Sequence, residues 1–458
     1  MKLSHIRSSR HAREDGQVLM LFGLFAIVLI LFVGLGIDLG FAYVTKAQLS
    51  KAMDAATLAA VSNYSGANGG PAAANLIAQN TFWLNYATNG VSGRGIGKVT
   101  PTGTFSTDAN GNLIYSNTVS ATINTFLIGI LPQWKTLTVG DTAVASRAPV
   151  VMTLVLDRTG SMTPGVTPIP CVNGNTQGGL YLPDAVTQFI NIFDETLDRA
   201  ALVSFSVSSS NDVPMTAKGG AFKAPIINTL NRINNNNLWQ GGTCSIAGLT
   251  NALCIQNATV VPANYVKVVV FFTDGRANMT TYKFPTSPPG GITLNFGGQD
   301  PATAGCPGKA DPNADFWRTN TSETAQGAGV VGTTAICGNS WTATLGGTTI
   351  TATAVFTNAM GIPENFCGSH ITADATNRCV LVANQMRTSS NYVYAVGLSA
   401  PGSLAPVTLD TLQQVANDPD SATFDPTQPV GAAFLSTGQD LSEVFQQVAA
   451  DIILRLVH

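Results

Sequence analysis

The segment VVMTLVLDRTGSMT, residues 150–163, joins a continuous apolar run to an aspartate and two hydroxyl side chains at alternate positions. A strand that is apolar throughout is typical of a parallel sheet covered on both faces. We therefore predict a strand over VVMTLVLD, with Asp157, Thr159 and Ser161 at its carboxyl end. By itself this loop could be an ordinary turn, or it could be the first part of a metal site completed further along the chain.

The segments after residue 150 alternate between apolar strands and amphipathic helices. Residues 199–207 (RAALVSFSV) and 265–275 (YVKVVVFFTDG) have the composition of buried strands, and residues 182–197 have an apolar side at helical spacing. This alternation indicates an α/β fold with a doubly wound, mostly parallel sheet. Further strands are predicted at 391–399 and 432–437, and helices at 245–256 and at 440–456, the latter capped by Asp440 or Ser442.

Oxygen-bearing side chains follow three of the predicted elements. Asp157, Thr159 and Ser161 follow the first strand, Thr243 lies in the loop GGTCS before a helix, and Asp274 ends a later strand. In an open α/β sheet, ligands bind outside the carboxyl ends of the strands. Two carboxylates and three hydroxyls form a set of hard oxygen ligands that suits Mg²⁺. Because Mg²⁺ keeps some waters, one coordination position could be left for an acidic group of a partner.

The order D-R-T-G-S, G-G-T and T-D-G resembles the von Willebrand factor A domain and its metal-ion-dependent adhesion site. The family motif is D-x-S-x-S with a later Thr and a later Asp. The resemblance implies a metal site in which the hydroxyls bind Mg²⁺, or Mn²⁺ or Ca²⁺, directly and the carboxylates act partly through water. Thr159 departs from the usual Ser but keeps the hydroxyl. The resemblance covers residues 148–457 except for an insertion, and its implied ligands are Asp157, Thr159, Ser161, Thr243 and Asp274.

The N-terminal region contains a run of apolar residues, from Val18 to Ile37, without a charged or strongly polar side chain. About 20 such residues are needed for a helix to cross a bilayer, whereas the apolar region of a signal peptide is shorter. A buried core helix is the alternative. Asp38, at the edge of the run, could mark the membrane interface or mediate helix association. The residues before the run are positively charged, which predicts a single pass with the N-terminus in the cytoplasm. These basic residues are Lys2, Arg7, Arg10 and Arg13.

The composition changes along the chain divide it into four parts. We predict a cytoplasmic N-terminus over 1–17, a transmembrane helix over 18–45, a helical and β-rich stalk over 46–147, and an α/β domain over 148–458. The stalk includes a second helix over 71–87 and Val/Thr-rich strands from about residue 97. A Gly-, Thr- and Asn-rich insertion over 278–385 is too long for an ordinary loop and is predicted to contain disulfides.

The segment from the apolar run to about residue 60 resembles the TadE/TadG-like segment of tight-adherence (Flp) pilus assembly proteins. The family pattern is an apolar span followed by D-x-G-x-x-Y, a basic residue, L-Q and an A-x-D-A-A-x-L-A run. In this chain the L-Q pair stands in reversed order, as Gln48 and Leu49. A Tad segment joined to a C-terminal von Willebrand A domain is the TadG arrangement, which implies a protein of the bacterial inner membrane with a periplasmic or extracellular domain. The matching positions are Asp38, Gly40, Tyr43, Lys46, Leu49, Asp54, Ala55 and Ala56.

All of the cysteines lie in the predicted outer part of the chain, where disulfides can persist. Their number is odd, so at least one is unpaired or bonded to another chain. The sequence leaves open a pairing of Cys171 with Cys244 or Cys254, a short Cys367–Cys379 loop, and a Cys306–Cys337 pair. The seven candidates are Cys171, Cys244, Cys254, Cys306, Cys337, Cys367 and Cys379.

The charge distribution and the motifs narrow the possible functions. Only 11% of residues are charged and no basic cluster follows residue 13, so nucleic acid is not an expected partner. No HExxH, GxSxG or phosphate-binding loop is present, and we predict no catalytic residues. The predicted function is pilus assembly or anchoring through a metal-bridged protein partner. A surface adhesin for host or matrix protein is the first alternative and a metal-dependent hydrolase the second; the sequence does not predict an oligomeric state.

Overall fold

The computed structural model describes two compact parts of the chain, which we call the N-terminal and C-terminal units. The N-terminal unit comprises residues up to Tyr64, Gly69–Thr107 and Ile114–Ser146; the C-terminal unit comprises Arg147–His458 together with two short segments, Ser65–Asn68 and Asp108–Leu113. The residues described are 15–65, 69–87, 99–164, 176–284, 286–287, 292–297, 316–319, 330–332, 340–345, 348–353, 355–365, 368–399 and 406–457.

The apolar N-terminal run lies within one long helix, α1 (Asp15–Ser62), which confirms the predicted helix. Its side chains from Val18 to Ile37 are almost all exposed, so the run is not a buried core helix. The second half of α1 packs against α2 (Gly70–Ala87). Small and apolar side chains of α1 allow this close approach. The fully buried ones are Leu49, Ala52, Met53, Ala56 and Ala60, and Phe82 of α2 is fully buried as well.

A three-stranded sheet completes the N-terminal unit, in the order β1 (Thr102–Thr107), β2 (Leu113–Asn124), β3 (Thr136–Arg147). Buried and more exposed residues alternate along β2, as expected for a strand with one covered face. The Tyr115 hydroxyl donates to Asn75 of α2 at 2.8 Å and joins the sheet to the helices. Asp38 is buried and accepts hydrogen bonds from the loop between β2 and β3, a contact that neither of its sequence interpretations included.

The C-terminal unit alternates strands with helices. In chain order its elements are β4 (Val150–Asp157), α3 (Gly178–Asn191), β5 (Arg199–Phe205), β6 (Ser209–Val213), α4 (Lys223–Asn235), α5 (Ser245–Ala258), β7 (Val266–Thr273), β8 (Met279–Phe284), β9 (Thr286–Ser287), β10 (Ile292–Gly297), β11 (Phe316–Thr319), β12 (Val330–Gly332), β13 (Ser340–Leu345), β14 (Thr348–Thr353), β15 (Val355–Thr357), β16 (Pro363–Asn365), α6 (Gly368–Thr388), β17 (Asn391–Leu398), α7 (Leu409–Ala416), β18 (Ala432–Ser436) and α8 (Leu441–Leu456).

The main sheet has the strand order β18-β17-β7-β4-β5-β6. Every pair in it is parallel except β5 and the edge strand β6, which are antiparallel. The sheet is therefore mostly parallel, as predicted. Every residue of β4 is buried, which is the pattern expected when both faces are covered.

Helices cover both faces of this sheet. Successive side chains of a strand point to opposite faces, so Met152 and Leu154 pack in one apolar cluster while Val155 packs in the other. The first cluster includes the buried sides of α3, α4 and α8, and the second includes those of α5, α6 and α7. This arrangement is the doubly wound α/β architecture that the alternating elements indicate.

The predicted insertion, 278–385, contains three small antiparallel groups of strands and most of a helix. The strand orders are β12-β11-β10-β8, β13-β14-β9 and β15-β16. The helix α6 begins at Gly368, and its buried residues Ala375, Ala383 and Met386 belong to the second core cluster. The doubly wound framework therefore resumes before residue 385, because small side chains at helical spacing pack on the sheet.

The cysteines do not follow the predicted pairing where the structure describes them. Cys244, Cys254 and Cys379 are free thiols, so their predicted bonds to Cys171 or Cys367 are not present. Cys244 and Cys379 are buried among apolar side chains, where a thiol packs as a small apolar group and needs no partner. Cys171, Cys306, Cys337 and Cys367 lie outside the described residues, and their pairing stays a prediction.

A buried ion pair lies where the chain enters β4. Nη2 of Arg147 donates to Asp198 at 2.8 Å, and both side chains are fully buried. Asp198 also accepts the backbone N–H groups of Val150, at 3.1 Å, and Asp194, at 2.8 Å. The carboxylate thus joins the start of β4 to the turn before β5.

Replacing Arg147 with methionine would keep a long apolar stem but leave the Asp198 carboxylate buried without its cation. We expect Arg147→Met to lower the free energy of unfolding by about 3–5 kcal/mol, because an uncompensated buried charge is costly. Urea unfolding of the full chain in detergent, followed by tryptophan fluorescence, measures the loss. The matched control is Arg232→Met, which removes the pair of the exposed Arg232 side chain with Asp212 at 3.9 Å and is expected to cost less than about 1 kcal/mol. Equal losses in the two variants would contradict the assignment.

Candidate metal centre

Strands β4 and β7 bring two of the predicted ligands to the same edge of the sheet. They are parallel neighbours, with Leu156 paired to Phe272, so Asp157 ends β4 level with the end of β7, and Asp274 follows β7 directly. β4 lies between β5 and β7 in the sheet. The strand that follows β4 in the chain, β5, is therefore added on one side of it, and the later strand β7 is added on the other side. Such a change of direction at the carboxyl ends of parallel strands is where open α/β sheets bind ligands.

The first loop is held by the side chain that begins it. Oδ1 of Asp157 accepts the Thr159 N–H at 2.8 Å, and a short 3₁₀ helix, Gly160–Met162, follows. This places the Thr159 hydroxyl 3.0 Å from the Ser161 hydroxyl. Thr159 therefore presents its hydroxyl to the site, as the serine of the family motif would, despite its additional methyl group.

Asp274 is the point at which the hydroxyls converge. Its Oδ1 accepts the Ser161 hydroxyl at 2.8 Å and lies 3.4 Å from the Thr159 hydroxyl. Its Oδ2 accepts the Thr176 hydroxyl at 2.6 Å. The Thr273 hydroxyl donates in turn to Oδ2 of Asp157 at 2.6 Å. Two carboxylates and four hydroxyls thus form one connected network.

Thr243 lies on a loop that borders this network. The Gly160 N–H donates to the Gly241 carbonyl at 3.2 Å, which places the two loops side by side. The Thr243 backbone is fixed by Asn278, whose side-chain oxygen accepts the Thr243 N–H at 2.8 Å. Within the described residues, no hydrogen bond joins the Thr243 side chain to the other four predicted ligands. The structure therefore links Asp157, Thr159, Ser161 and Asp274 directly and places Thr243 beside them.

Two hydroxyls in the network were not among the predicted ligands. Thr273 is adjacent to Asp274. Its position at the end of a buried strand could have identified it as a residue of the site. Thr176 lies just before α3, and its N–H also donates to the Ser161 carbonyl at 2.8 Å. No pattern in the sequence distinguishes Thr176 from the other hydroxyls between Ser161 and α3.

The electrostatics of the network are dominated by the burial of its two acids. Burial raises the pKa of Asp157, against the hydrogen bonds from Thr273 and Thr159. Burial, together with the charge of Asp157, raises the pKa of Asp274 to about 7. The nearest basic residue in sequence, Arg158, donates to the Ser204 hydroxyl and to the Leu238 carbonyl. The charge of Arg158 also attracts that of Asp157.

The donor set of the network suits a hard divalent cation. The described residues contain no group of three or more His, Cys, Asp or Glu side chains, so a soft or nitrogen-rich metal site is not formed there. A hydroxyl that donates its proton to a carboxylate keeps its lone pairs for a cation. Asp157, Thr159, Ser161, Thr176 and Asp274 therefore fit the oxygen ligands that Mg²⁺ takes in proteins, with water completing the shell.

The chain is similar to one family model and to several solved structures. Residues 16–67 match the family model Tad, putative Flp pilus-assembly TadE/G-like. No curated protein matches the sequence.

Among solved structures, the chain is similar to the pilus adhesin SpaC from Lactobacillus rhamnosus GG, in its open conformation, with a TM-score of 0.39 and 15% identity over 79% of this chain and 35% of that one. The chain thus spans about a third of SpaC. It is also similar to the vWF domain of the type V pili tip protein Mfa5 from Porphyromonas gingivalis, with a TM-score of 0.36 and 15% identity over 68% of this chain and 97% of that one. For the PilB minor pilin from Streptococcus sanguinis the TM-score is 0.37 and the identity 13%, over 78% of this chain and 79% of that one. These likenesses are too distant to carry a functional argument.

The raised pKa of Asp274 predicts how metal-free stability depends on pH. Between about 4 and about 7 the folded protein keeps a proton on Asp274 that the unfolded chain, with an ordinary carboxyl pKa of 3.8, has released. Stability in EDTA should therefore fall as pH rises through this window, by up to about 1.4 kcal/mol per pH unit, and level off above it.

Asp274→Asn mimics the protonated acid, so we expect this variant to lose the part of the slope that Asp274 contributes and to be more stable than wild type in EDTA at pH 8. Urea unfolding at pH 5, 6, 7 and 8 measures the difference. The control is Asp420→Asn, which removes the same charge at an exposed position and should keep the slope. A wild-type stability that is flat from pH 5 to 7 would contradict the prediction.

Proposed function

We propose that this chain is a membrane-anchored, extracytoplasmic protein of Tad/Flp-type pilus assembly or anchoring. Its C-terminal unit is von Willebrand A-like and binds a protein partner through Mg²⁺. The observation that carries the proposal is the pair of buried carboxylates, Asp157 and Asp274, joined by convergent hydroxyls at the carboxyl edge of the parallel sheet.

The N-terminal region supports the membrane and pilus parts of this proposal. The TadE/G-like match covers residues 16–67, which contain the apolar run and the helix that continues from it. The apolar side chains of the run are exposed over a length that suffices to cross a bilayer. With the basic N-terminal flank in the cytoplasm, the C-terminal unit and the part of the N-terminal unit after the apolar run would lie on the other side of the inner membrane.

The residues of the network have separate roles in the proposed binding. Ser161, Thr159 and Thr176 would hold the cation with their hydroxyls, and Thr243 would add its hydroxyl from the adjoining loop. Asp157 and Asp274 supply the negative charge. Asp274 orients the hydroxyls of Ser161 and Thr176 by accepting their protons, and Asp157 holds the first loop by accepting the Thr159 N–H. When bound, Mg²⁺ would supply an open coordination position for an acidic side chain of the partner. Ser161 is the partly exposed member, so the partner would approach from its side.

Metal binding is tested by calorimetric titration of the full chain in detergent with Mg²⁺. We expect binding in the wild type and an affinity at least about tenfold lower in Ser161→Ala and Asp274→Asn, because each loses an oxygen or a charge that holds the cation. Asp420→Asn is the matched control and should bind as the wild type does. Since Asp274→Asn is expected to be the more stable protein without metal, its loss of binding would not reflect unfolding. Identical titrations for wild type and Asp274→Asn would sink the metal hypothesis.

The role in assembly is tested in cells that lack the gene. We expect the number of pili per cell, counted by electron microscopy, to fall several-fold and to be restored by the wild-type gene but not by Ser161→Ala. Surface attachment is measured on the same cells. Normal piliation with a loss of attachment alone would replace the assembly role by that of an adhesin.

A further inference from the structure

The loop between β2 and β3, residues 125–135, which we call the tip loop, is fastened to α1 at the end of the apolar run. Oδ1 of Asp38 accepts the Phe126 N–H at 2.6 Å, and its Oδ2 accepts those of Leu127 and Ile128 at 3.0 and 2.9 Å. These bonds fix the height of the loop along the helix.

Two side-chain contacts fix the same position. A Cβ at Gly34 would lie 2.6 Å from the Leu127 Cβ, so only glycine allows this approach of loop and helix. The rings of Phe41 and Phe126 meet edge to face with centroids 5.7 Å apart. Since a helix rises 1.5 Å per residue, contacts from Gly34 to Phe41 confine the loop to about 10 Å of helix length.

The outer side of the tip loop is apolar and exposed. Residues 125–134, TFLIGILPQW, carry no charge, and Lys135 follows them. Ile130 is 72% exposed and Trp134 50%, and Phe126 and Leu131 are exposed to a smaller extent. At the same end of the apolar run, α1 also exposes apolar side chains such as Leu35 and Ile37.

The backbone of the loop is hydrogen-bonded from within. Besides the three N–H groups held by Asp38, those of Ile130, Leu131 and Trp134 donate to carbonyls of the loop, and that of Thr125 donates to Lys135. The Thr125 hydroxyl donates to the Trp134 carbonyl at 2.6 Å. Non-helical backbone near hydrocarbon requires this internal pairing, because no water is available there to satisfy it.

We propose that the tip loop inserts into the interfacial layer of the membrane leaflet from which α1 emerges. Trp134 lies at headgroup level, Ile130 and Leu131 reach the acyl boundary, and Lys135 extends its amine to the headgroups. Tryptophan at the interface with a basic residue beside it is typical of membrane anchors. A lipid surface is the occupant that the structure favours, because the exposed loop continues the surface of the apolar run at the same height. The inference rests on the proposed insertion of α1 and is independent of the metal site.

The test uses the full chain reconstituted in vesicles of phosphatidylcholine and phosphatidylglycerol, with and without brominated phosphatidylcholine, which quenches nearby tryptophans. Vesicle flotation first reports whether the protein is anchored. The difference in emission between wild type and Trp134→Phe isolates Trp134. We expect most of this component to be lost with lipids brominated near the headgroup, and less with lipids brominated deeper in the chain. Trp83→Phe, on α2 of the same unit, is the matched control and should leave the quenched component unchanged.

Three results would overturn the inference. Failure of the protein to float would remove the anchor itself and that part of the proposed function. Flotation with Trp134 quenched by aqueous acrylamide and untouched by brominated lipid would place the loop in water. Flotation with Trp134 shielded from both quenchers would place a protein, such as a second copy or a pilus subunit, on the loop instead of lipid.

Discussion

Two carboxylates buried at neighbouring strand ends, whose side-chain hydrogen-bond donors are neutral hydroxyls, are the constraint on which the C-terminal unit depends. The parallel pairing of β4 and β7 makes it unavoidable that Asp157 and Asp274 lie together, because the strands end at the same edge of the sheet. Hydroxyls from three separate segments relieve part of the cost, and the raised pKa of Asp274 shows that they do not relieve all of it. The unit is thus built with an excess of negative charge at one place.

Two other buried carboxylates, Asp38 and Asp198, have different hydrogen-bond partners from those of the pair at the sheet edge. Asp38 accepts three backbone N–H groups, and Asp198 has a buried guanidinium and two N–H groups. Both are satisfied by the protein itself and act as structural fasteners. The pair at the sheet edge receives mainly neutral hydroxyls, which orient a charge without cancelling it. A group that the protein leaves unbalanced is one that a ligand can balance.

The sequence allowed the framework to be predicted because its strands are apolar on both faces and alternate with helices, and the edge rule for parallel sheets then brought Asp157 and Asp274 together. Thr176 could not be found in this way, since its position depends on how the segment before α3 returns to the site. The contact between Asp38 and Phe126 spans 88 residues, and no local pattern records such a pairing. The helix α6 was not predicted, because its small core residues, such as Ala375 and Ala383, are separated in the sequence by polar residues that hide the apolar pattern. Cysteine spacing suggested bonds to Cys244 and Cys379, yet their apolar surroundings are those of packing groups.

The unbroken length of α1 has a mechanical consequence. The helix contains no proline and runs through Asp38 without interruption, so about 25 of its residues continue beyond the apolar run as a rod of about 37 Å. With the run in a bilayer, a tilt of about 20° would displace the far end of this rod sideways by about 13 Å. The packing of α2 along the rod stiffens it against bending. With the run held in a bilayer, the helix would act as a lever: small rotations near the membrane would become large excursions of the part of the N-terminal unit beyond the run, and a force on that part would exert a torque on the bilayer.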